Sequence, residues 1–296
     1  MELRHLRYFV AVAEELHFGR AAKRLGISQP PLSQQIRALE DQLGVELLRR
    51  TRRNVRMTSA GEVFLQAARR ILRGVEDSVE VTRRAARGEV GTLNVGYAPG
   101  VEIEILPRVL RAFARRYPAV DLRLSPLHSR EQLEALRQKA IDVGFVRLPL
   151  AGEDLRIEQI HREPLVLVAP RDHSLARRRN VRLRDLAGIP YIQLARSYSP
   201  VFHDLISSLA REAGVALRVV TESSHLYDIL SLVAAGVGVS LLPNSVRRIR
   251  RKGVTTRPVG PPRVMVGVAL AHRRNELSQV PLAFIGIVRA LYGGGR

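Results

Sequence analysis

Three apolar stripes, the last two parted by Gly26 and the third ended by Gly44, fill the first 44 residues and constrain them to a small helical unit. Leu3, Leu6, Phe9, Val10, Val12, Ala13 and Leu16 recur at spacings of three and four, the period of one buried helix face. Phe18 to Leu25 reads as a second, shorter helix with Ala21, Ala22 and Leu25 inward, and Gly26 supplies the turn. Ser28 is a good N-cap, and Pro30 and Pro31 are tolerated in the first turn of a third helix. Leu32, Ile36, Leu39 and Leu43 carry that helix to Gly44.

The outer face of the third helix holds Gln29, Pro30, Ser33, Gln34 and Arg37. An ordinary solvated face would carry Glu/Lys pairs. Gln, Ser and Arg instead match base edges and phosphates in a major groove, and two helices joined by a short Gly-containing turn make a helix-turn-helix. The alternative is a small helical core with an incidental Gln-rich surface. Five arginines then fall within residues 49–56, with no acid among them. Asn54 and the alternation of Val55 and Met57 suggest a hairpin wing beside the third helix, on which Arg52, Arg53 and Arg56 would neutralise phosphates.

Ser59-x-x-Glu62 has the form of a capping box and opens a helix that runs to about Arg87. At 1.5 Å per residue it would reach roughly 42 Å. Its near-heptad stripe (Phe64, Ile71, Leu72, Val75, Val79) suits pairing with a second copy of the chain. Residues 87–91 end it and form a hinge.

The first 58 residues resemble the winged helix-turn-helix of LysR-type transcriptional regulators. The matching stretch is Ala21-Ala22-x-x-Leu25, Ser28-Gln29-Pro30-Pro31-Leu32-Ser33-x-Gln35-Ile36-x-x-Leu39-Glu40-x-x-Leu43-Gly44, then Leu47-x-x-Arg50 and Thr58-x-Ala60-Gly61. Two departures are Leu48, where an aromatic is common, and Gly19, where a Thr often caps the second helix. The resemblance covers the whole chain. It implies a DNA-binding domain over 1–58, a linker and dimerisation helix over 59–88, and an α/β effector domain over 91–296 similar to periplasmic binding proteins. The effector domain would divide into residues 91–161 with 268–296, and residues 162–267. The resemblance also implies double-stranded DNA, a small organic acid and RNA polymerase as partners, and a homodimer that assembles to a homotetramer.

Residues after 90 alternate strand-like and helix-like segments, which implies a mostly parallel sheet covered on both faces. We expect strands at 91–97, 120–125, 141–146, 165–169, 191–194, 218–221, 239–243 and 264–271. Helices are expected at 106–117, 130–138, 201–213, 226–235 and 281–292, with Ser129 capping the second. Ligands in such folds sit beyond the carboxyl ends of strands, where helix N-termini favour an anion. Arg147 directly follows an apolar run and can reach such a crevice, although a surface loop arginine is the alternative. Regulators of aromatic-acid and muconate breakdown bind their carboxylates at matching places. On that resemblance the effector residues are Pro99, Gly100, His128, Ser129, Arg147, Pro200 and Phe202.

Composition excludes several other classes. No cysteine is present, so a disulfide-stapled secreted module is ruled out. No 18-residue apolar run and no signal-peptide pattern occur, which suits a cytoplasmic protein. No nucleophile elbow, zinc-protease motif or phosphate-binding loop is found, so neither an enzyme nor a bound cofactor is expected. The eight His show no metal-ligand spacing, and His5 and His17 read as structural. The net charge of +20 points to nucleic acid, but much of it lies in runs such as Arg177–Arg179 and Arg247–Lys252, outside the helix-turn-helix.

Overall fold

The computed structural model describes residues 1–51, 54–260, 263–275 and 277–293. Its two compact units are Met1–Arg84 and Ala85–Arg296. The first unit contains α1 (Leu3–Glu15), α2 (Phe18–Leu25) and α3 (Gln29–Leu43), a hairpin of β1 (Leu48–Arg50) and β2 (Val55–Met57), and most of α4 (Ser59–Ala86). Phe9, Val12, Ala21, Leu32, Ile36, Leu39 and Leu47 meet in one core. Helix boundaries follow local chemistry. His17 caps α2, its Nδ1 accepting the N–H groups of Gly19 (3.0 Å) and Arg20 (3.2 Å). With that imidazole as the cap, a hydroxyl at position 19 is unnecessary. Gly26 (φ +67°) and Gly44 (φ +69°) end α2 and α3 in the left-handed region, where a side chain would be strained.

The cap of α4 lies one residue earlier than the Ser59-x-x-Glu62 reading. The Thr58 hydroxyl accepts the Gly61 N–H at 3.0 Å and donates to the Glu46 carbonyl at 2.7 Å. Gly61 must be glycine for a different reason: a Cβ there would stand 2.2 Å from the Leu47 carbonyl oxygen. Thr58 and Gly61 therefore fasten the start of α4 to the strand that leads into the wing.

The second unit contains, in chain order, β3 (Val90–Tyr97), α5 (Val101–Arg116), β4 (Ala119–Pro126), α6 (Ser129–Arg137), β5 (Val143–Leu148), β6 (Leu155–Pro170), β7 (Pro190–Leu194), α7 (Pro200–Glu212), β8 (Arg218–Ser223), α8 (Leu226–Ala234), β9 (Ser240–Pro243), β10 (Val254–Pro258), β11 (Met265–Arg273) and α9 (Gln279–Tyr292). Strand β6 is central. Its first part, to Pro164, pairs with β11, and from Leu165 onward it pairs with β9 and β10. On one side of that switch lies the order β4-β3-β5-β11-β6. On the other, β9 and β10 flank β6, and the parallel pair β7–β8 joins through a bridge between Tyr191 and Val239. Separate apolar cores lie under the two parts, one around Phe113, Phe145 and Phe284, the other around Tyr191, Phe202 and Leu241.

Four features differ from expectation, one of them β10 (Val254–Pro258), which falls where no strand was expected. The sheet is mixed rather than mostly parallel, because β11 and β6 return against their neighbours. Strand β6 is 16 residues long, and its first ten residues escaped notice because polar residues such as Gln159, Arg162 and Glu163 break its apolar alternation. Helix α5 starts at Val101 rather than Leu106, and Pro107 lies inside it. Gly100, at φ +87°, supplies the entry to α5.

Candidate functional site

The first candidate surface is the outer face of α3. Leu32, Ile36 and Leu39 are buried, which leaves Gln29, Pro30, Gln34 and Arg37 exposed on the opposite side. Ser33 is half-buried, its Oγ 3.5 Å from Arg50 Nη1, at the limit of a hydrogen bond. Gln35 points inward instead, its Oε1 2.7 Å from Nε2 of the buried His5. The structure thus sorts three nearby polar side chains into two outward-facing ones, Gln34 and Arg37, and one structural one.

The wing arginines are also divided. Arg50 ion-pairs with Glu40 of α3 and lies 4.9 Å over the Phe18 ring. Glu40 additionally accepts the N–H groups of Leu47 and Leu48, both at 3.0 Å, so this carboxylate clamps the wing to α3. Arg49 and Arg56 face each other across the hairpin, and both are exposed. Directly opposed like charges are unfavourable in water, and a phosphate between them would reverse the sign. Arg52 and Arg53 lie outside the described residues.

The second candidate site is a cleft in the Ala85–Arg296 unit, where the carboxyl ends of β3, β5, β7 and β9 converge. A cavity there is lined by Pro99, Gly100, Arg147, Ser199, Phe202, Ser245 and mostly apolar neighbours. The N-termini of α5, α7 and α8 open toward it, with Gly100, Ser199 and Leu226 all in its wall. Their N–H groups and dipoles favour an anion.

Arg147 is buried in this wall. Its Nη1 lies 3.2 Å from Glu163 Oε1, and its Nη2 donates to the Pro99 carbonyl at 3.3 Å. The other Glu163 oxygen accepts the Ser245 N–H at 2.6 Å. Both members of the pair are nearly sealed from solvent, Arg147 at 4% and Glu163 at 5% exposure. Glu163 stands just before β6 exchanges partners, so one carboxylate connects β5 to the turn Asn244–Arg248. Gly100 adopts φ +87°, which favours glycine, and a Cβ there would also press on Arg147 Nη2 at 2.7 Å.

Of the residues expected at this site, Pro99, Gly100, Arg147 and Phe202 line the cavity, whereas His128, Ser129 and Pro200 stand outside it. Ser129 supports Arg147 from behind, its Oγ accepting the Arg147 N–H at 2.9 Å. His128, rather than Ser129, is the N-cap of α6, and its own N–H donates to Glu131 at 2.8 Å. Its ring packs edge-on against Tyr198, which packs likewise on His225, each with centroids 5.7 Å apart. Burial pushes the Tyr198 hydroxyl pKa up from its ordinary value, so the ring enters as a neutral group. A further tie joins α5 to the 244–248 turn: Arg248 Nη2 lies 2.6 Å from Glu104 Oε1, and its hydrogen bond holds the Glu104 carboxyl below its ordinary pKa.

Sequence reasoning missed Glu163, which stands in the polar run His161-Arg162-Glu163 and resembles a solvated loop residue. It also missed Ser245. Among the described residues no His/Cys/Asp/Glu group has a metal-holding arrangement, and no helix is long and apolar enough to cross a membrane.

Two family profiles match the chain: "Bacterial regulatory helix-turn-helix protein, lysR family" over residues 3–62 and "LysR substrate binding domain" over residues 86–292. The chain is 37% identical to the HTH-type transcriptional regulator AlsR of Bacillus subtilis (strain 168), over 97% of this chain and 95% of that one. The crystal structure of CbnR, a LysR family transcriptional regulator, superposes with a TM-score of 0.85 at 36% identity, covering 98% of this chain and 100% of the other. Full-length CbnR complexed with its target DNA gives a TM-score of 0.87 at 35% identity, over 98% and 99% of the two chains.

Proposed function

The chain belongs to the LysR family of bacterial transcriptional regulators, and from that premise we propose how its own residues read DNA and sense a ligand. It is a DNA-binding transcription regulator with an effector-binding unit, and it acts through binding rather than catalysis. Helix α3 enters the major groove, where Gln29, Ser33, Gln34 and Arg37 meet base edges and Pro30 sets the approach of the helix. Arg56 neutralises backbone phosphates together with Arg52 and Arg53 of the same wing.

The effector is a small carboxylate held in the cleft. The supporting observation is the buried Arg147, placed among helix N-termini in a largely apolar wall. Arg147 is already paired with Glu163, so a ligand carboxylate must compete with Glu163 or share the guanidinium with it. Either outcome loosens a contact that runs on to Ser245, and so shifts residues 91–161 and 268–296 relative to residues 162–267. Ligand binding biases this equilibrium by its different affinity for the two arrangements.

Helix α4 supports assembly. Its buried residues are Gly61, Leu65 and Ala68 alone among those described, while Ile71 and Val79 of the near-heptad stripe are 44% and 45% exposed. An apolar stripe left open over that length is covered by a second copy of the chain. Dimers then associate to tetramers on promoter DNA, beside RNA polymerase, in the cytoplasm.

A ligand screen tests the cleft reading. Full-length protein is heated with a panel of mono- and dicarboxylates, alongside Ile103→Trp, which fills the cavity. At a hundredfold excess over Kd, a ligand adds about 2.7 kcal/mol of stability. At least one acid is expected to raise the melting temperature of the wild type and not of the variant. An equal shift in both would place the ligand elsewhere.

A further inference from the structure

The Ala85–Arg296 unit carries a second concave surface, which borders the 244–248 turn as the cleft does. Val246 lines both. This open groove presents Arg171, Arg247, Arg250, Arg251 and Lys252, and no acidic side chain stands in its wall among the described residues. Strand pairing builds it: β10 lies against the end of β6, and the Arg171 N–H donates to the Gly253 carbonyl at 2.9 Å. Arg171 is thereby fixed beside the Arg250–Lys252 run. None of these cations has an acidic partner among the described residues. Arg247 Nε and Arg251 Nη2 donate instead to the hydroxyls of Thr256 (2.7 Å) and Ser231 (3.3 Å). Thr256, occupied as an acceptor, keeps its own hydroxyl proton to donate. Arg248, from the same run, turns away to Glu104.

A second basic surface shows the contrast. Arg178, Arg179, Arg182 and Arg184 also border a hollow, but Asp185 lies among them and pairs with Arg178 at 2.8 Å. There the charge is partly neutralised within the chain. In the 247–252 groove it is not.

We propose that the groove holds the phosphodiester backbone of duplex DNA, as a contact separate from the helix-turn-helix. A small solute is a poor fit, because small-molecule sites enclose most of the ligand and converge a few buried polar groups on it. Here every cation is exposed and the groove is open. A surface of mobile Arg and Lys side chains, with hydroxyl donors between them, suits a strand that offers one phosphate after another. Association releases counterions from the DNA, which offsets the cost of ordering those side chains. The groove also gives a use for charge that the DNA-reading module does not contain.

The inference rests on the chain's binding DNA, and the experiment keeps the two apart. Affinity of the full-length protein for a 60-base-pair random-sequence duplex is measured over a series of salt concentrations. The wild type is compared with R250A/R251A/K252A and with the charge-matched R177A/R179A/R184A, whose positions are all exposed. Neutralising three phosphate-contacting cations flattens the plot of log K against log salt by about 2.7, since each contributes about 0.9. Between 50 and 200 mM salt that difference amounts to roughly 40-fold in affinity. We expect this change in the groove variant and the wild-type slope in the control. A wild-type slope in the groove variant overturns the proposal, as does an equal fall in both variants. Failure of the wild type to bind at all would instead contradict the DNA-binding reading.

Discussion

Replacing Arg147 by Met removes one member of a buried ion pair and leaves the Glu163 carboxylate without its cation. Glu163 retains one hydrogen bond, from the Ser245 N–H, and is only 5% exposed, so water cannot easily take the place of the guanidinium. Breaking a buried pair from one side costs about 3–5 kcal/mol, most of it the penalty of an uncompensated charge. For a unit of about 200 residues each kcal/mol lowers the melting temperature by about 2–4 °C, so Arg147→Met is expected to lose roughly 6–20 °C. The double variant Arg147→Met/Glu163→Gln removes the stranded charge, while the Gln carbonyl still accepts from Ser245. It should recover most of the loss, because replacing both members of a buried pair is often neutral. Thermal and urea denaturation of the two singles and the double, followed by circular dichroism, completes the cycle. A loss below about 1 kcal/mol in Arg147→Met, or a double variant as unstable as the sum of the singles, would refute a coupled buried pair.

Arg37→Ala should weaken DNA binding by about 1–3 kcal/mol and relax sequence preference, whereas Arg56→Ala should weaken all sequences alike; competition binding with varied duplexes distinguishes the two. Ile71→Glu places a charge in the open stripe of α4 and should shift the protein toward monomer in sedimentation, with little change in the helicity of the isolated chain. The Glu104 carboxyl is held below its ordinary pKa by Arg248, so its contribution is complete above that ordinary value and disappears as the pH falls through the lowered one. Acid melting curves of the wild type should therefore converge on those of Glu104→Gln only at the acidic end of the carboxylate range.

The parts of the molecule legible from sequence were those where local chemistry and tertiary structure agree. Gly26, Gly44, Pro30 and the spacing of Leu32, Ile36 and Leu39 each specify the same helix boundaries, and the structure contains those helices. The outward placement of Gln34 and Arg37 followed from the same periodicity. Gln35 shows where periodicity stops: its neighbour His5 is 30 residues away, and only the folded unit joins them. The cleft was legible in outline because strand ends and helix starts mark it. Its chemistry was less so. Arg147 was visible after an apolar strand, but its partner Glu163 lies on a strand whose first half pairs with β11, far along the chain, and whose polar residues conceal its alternation. Ser129 was expected as a helix cap and an effector residue, yet it accepts a bond from the Arg147 backbone and leaves the lining to Ser199 and Ser245. The net charge was legible as a number, and only the fold separated Arg248, spent on Glu104, from the unpaired cations around it.

A carboxylate in the cleft is expected to change how this regulator holds DNA. A nuclease footprint of full-length protein on a duplex it binds tightly, with and without the acid that raises its melting temperature, tests this most directly. The expected footprint changes in length or in its pattern of enhanced cleavage when the acid is added, with no such change for Ile103→Trp. A wild-type footprint identical with and without saturating acid would contradict it.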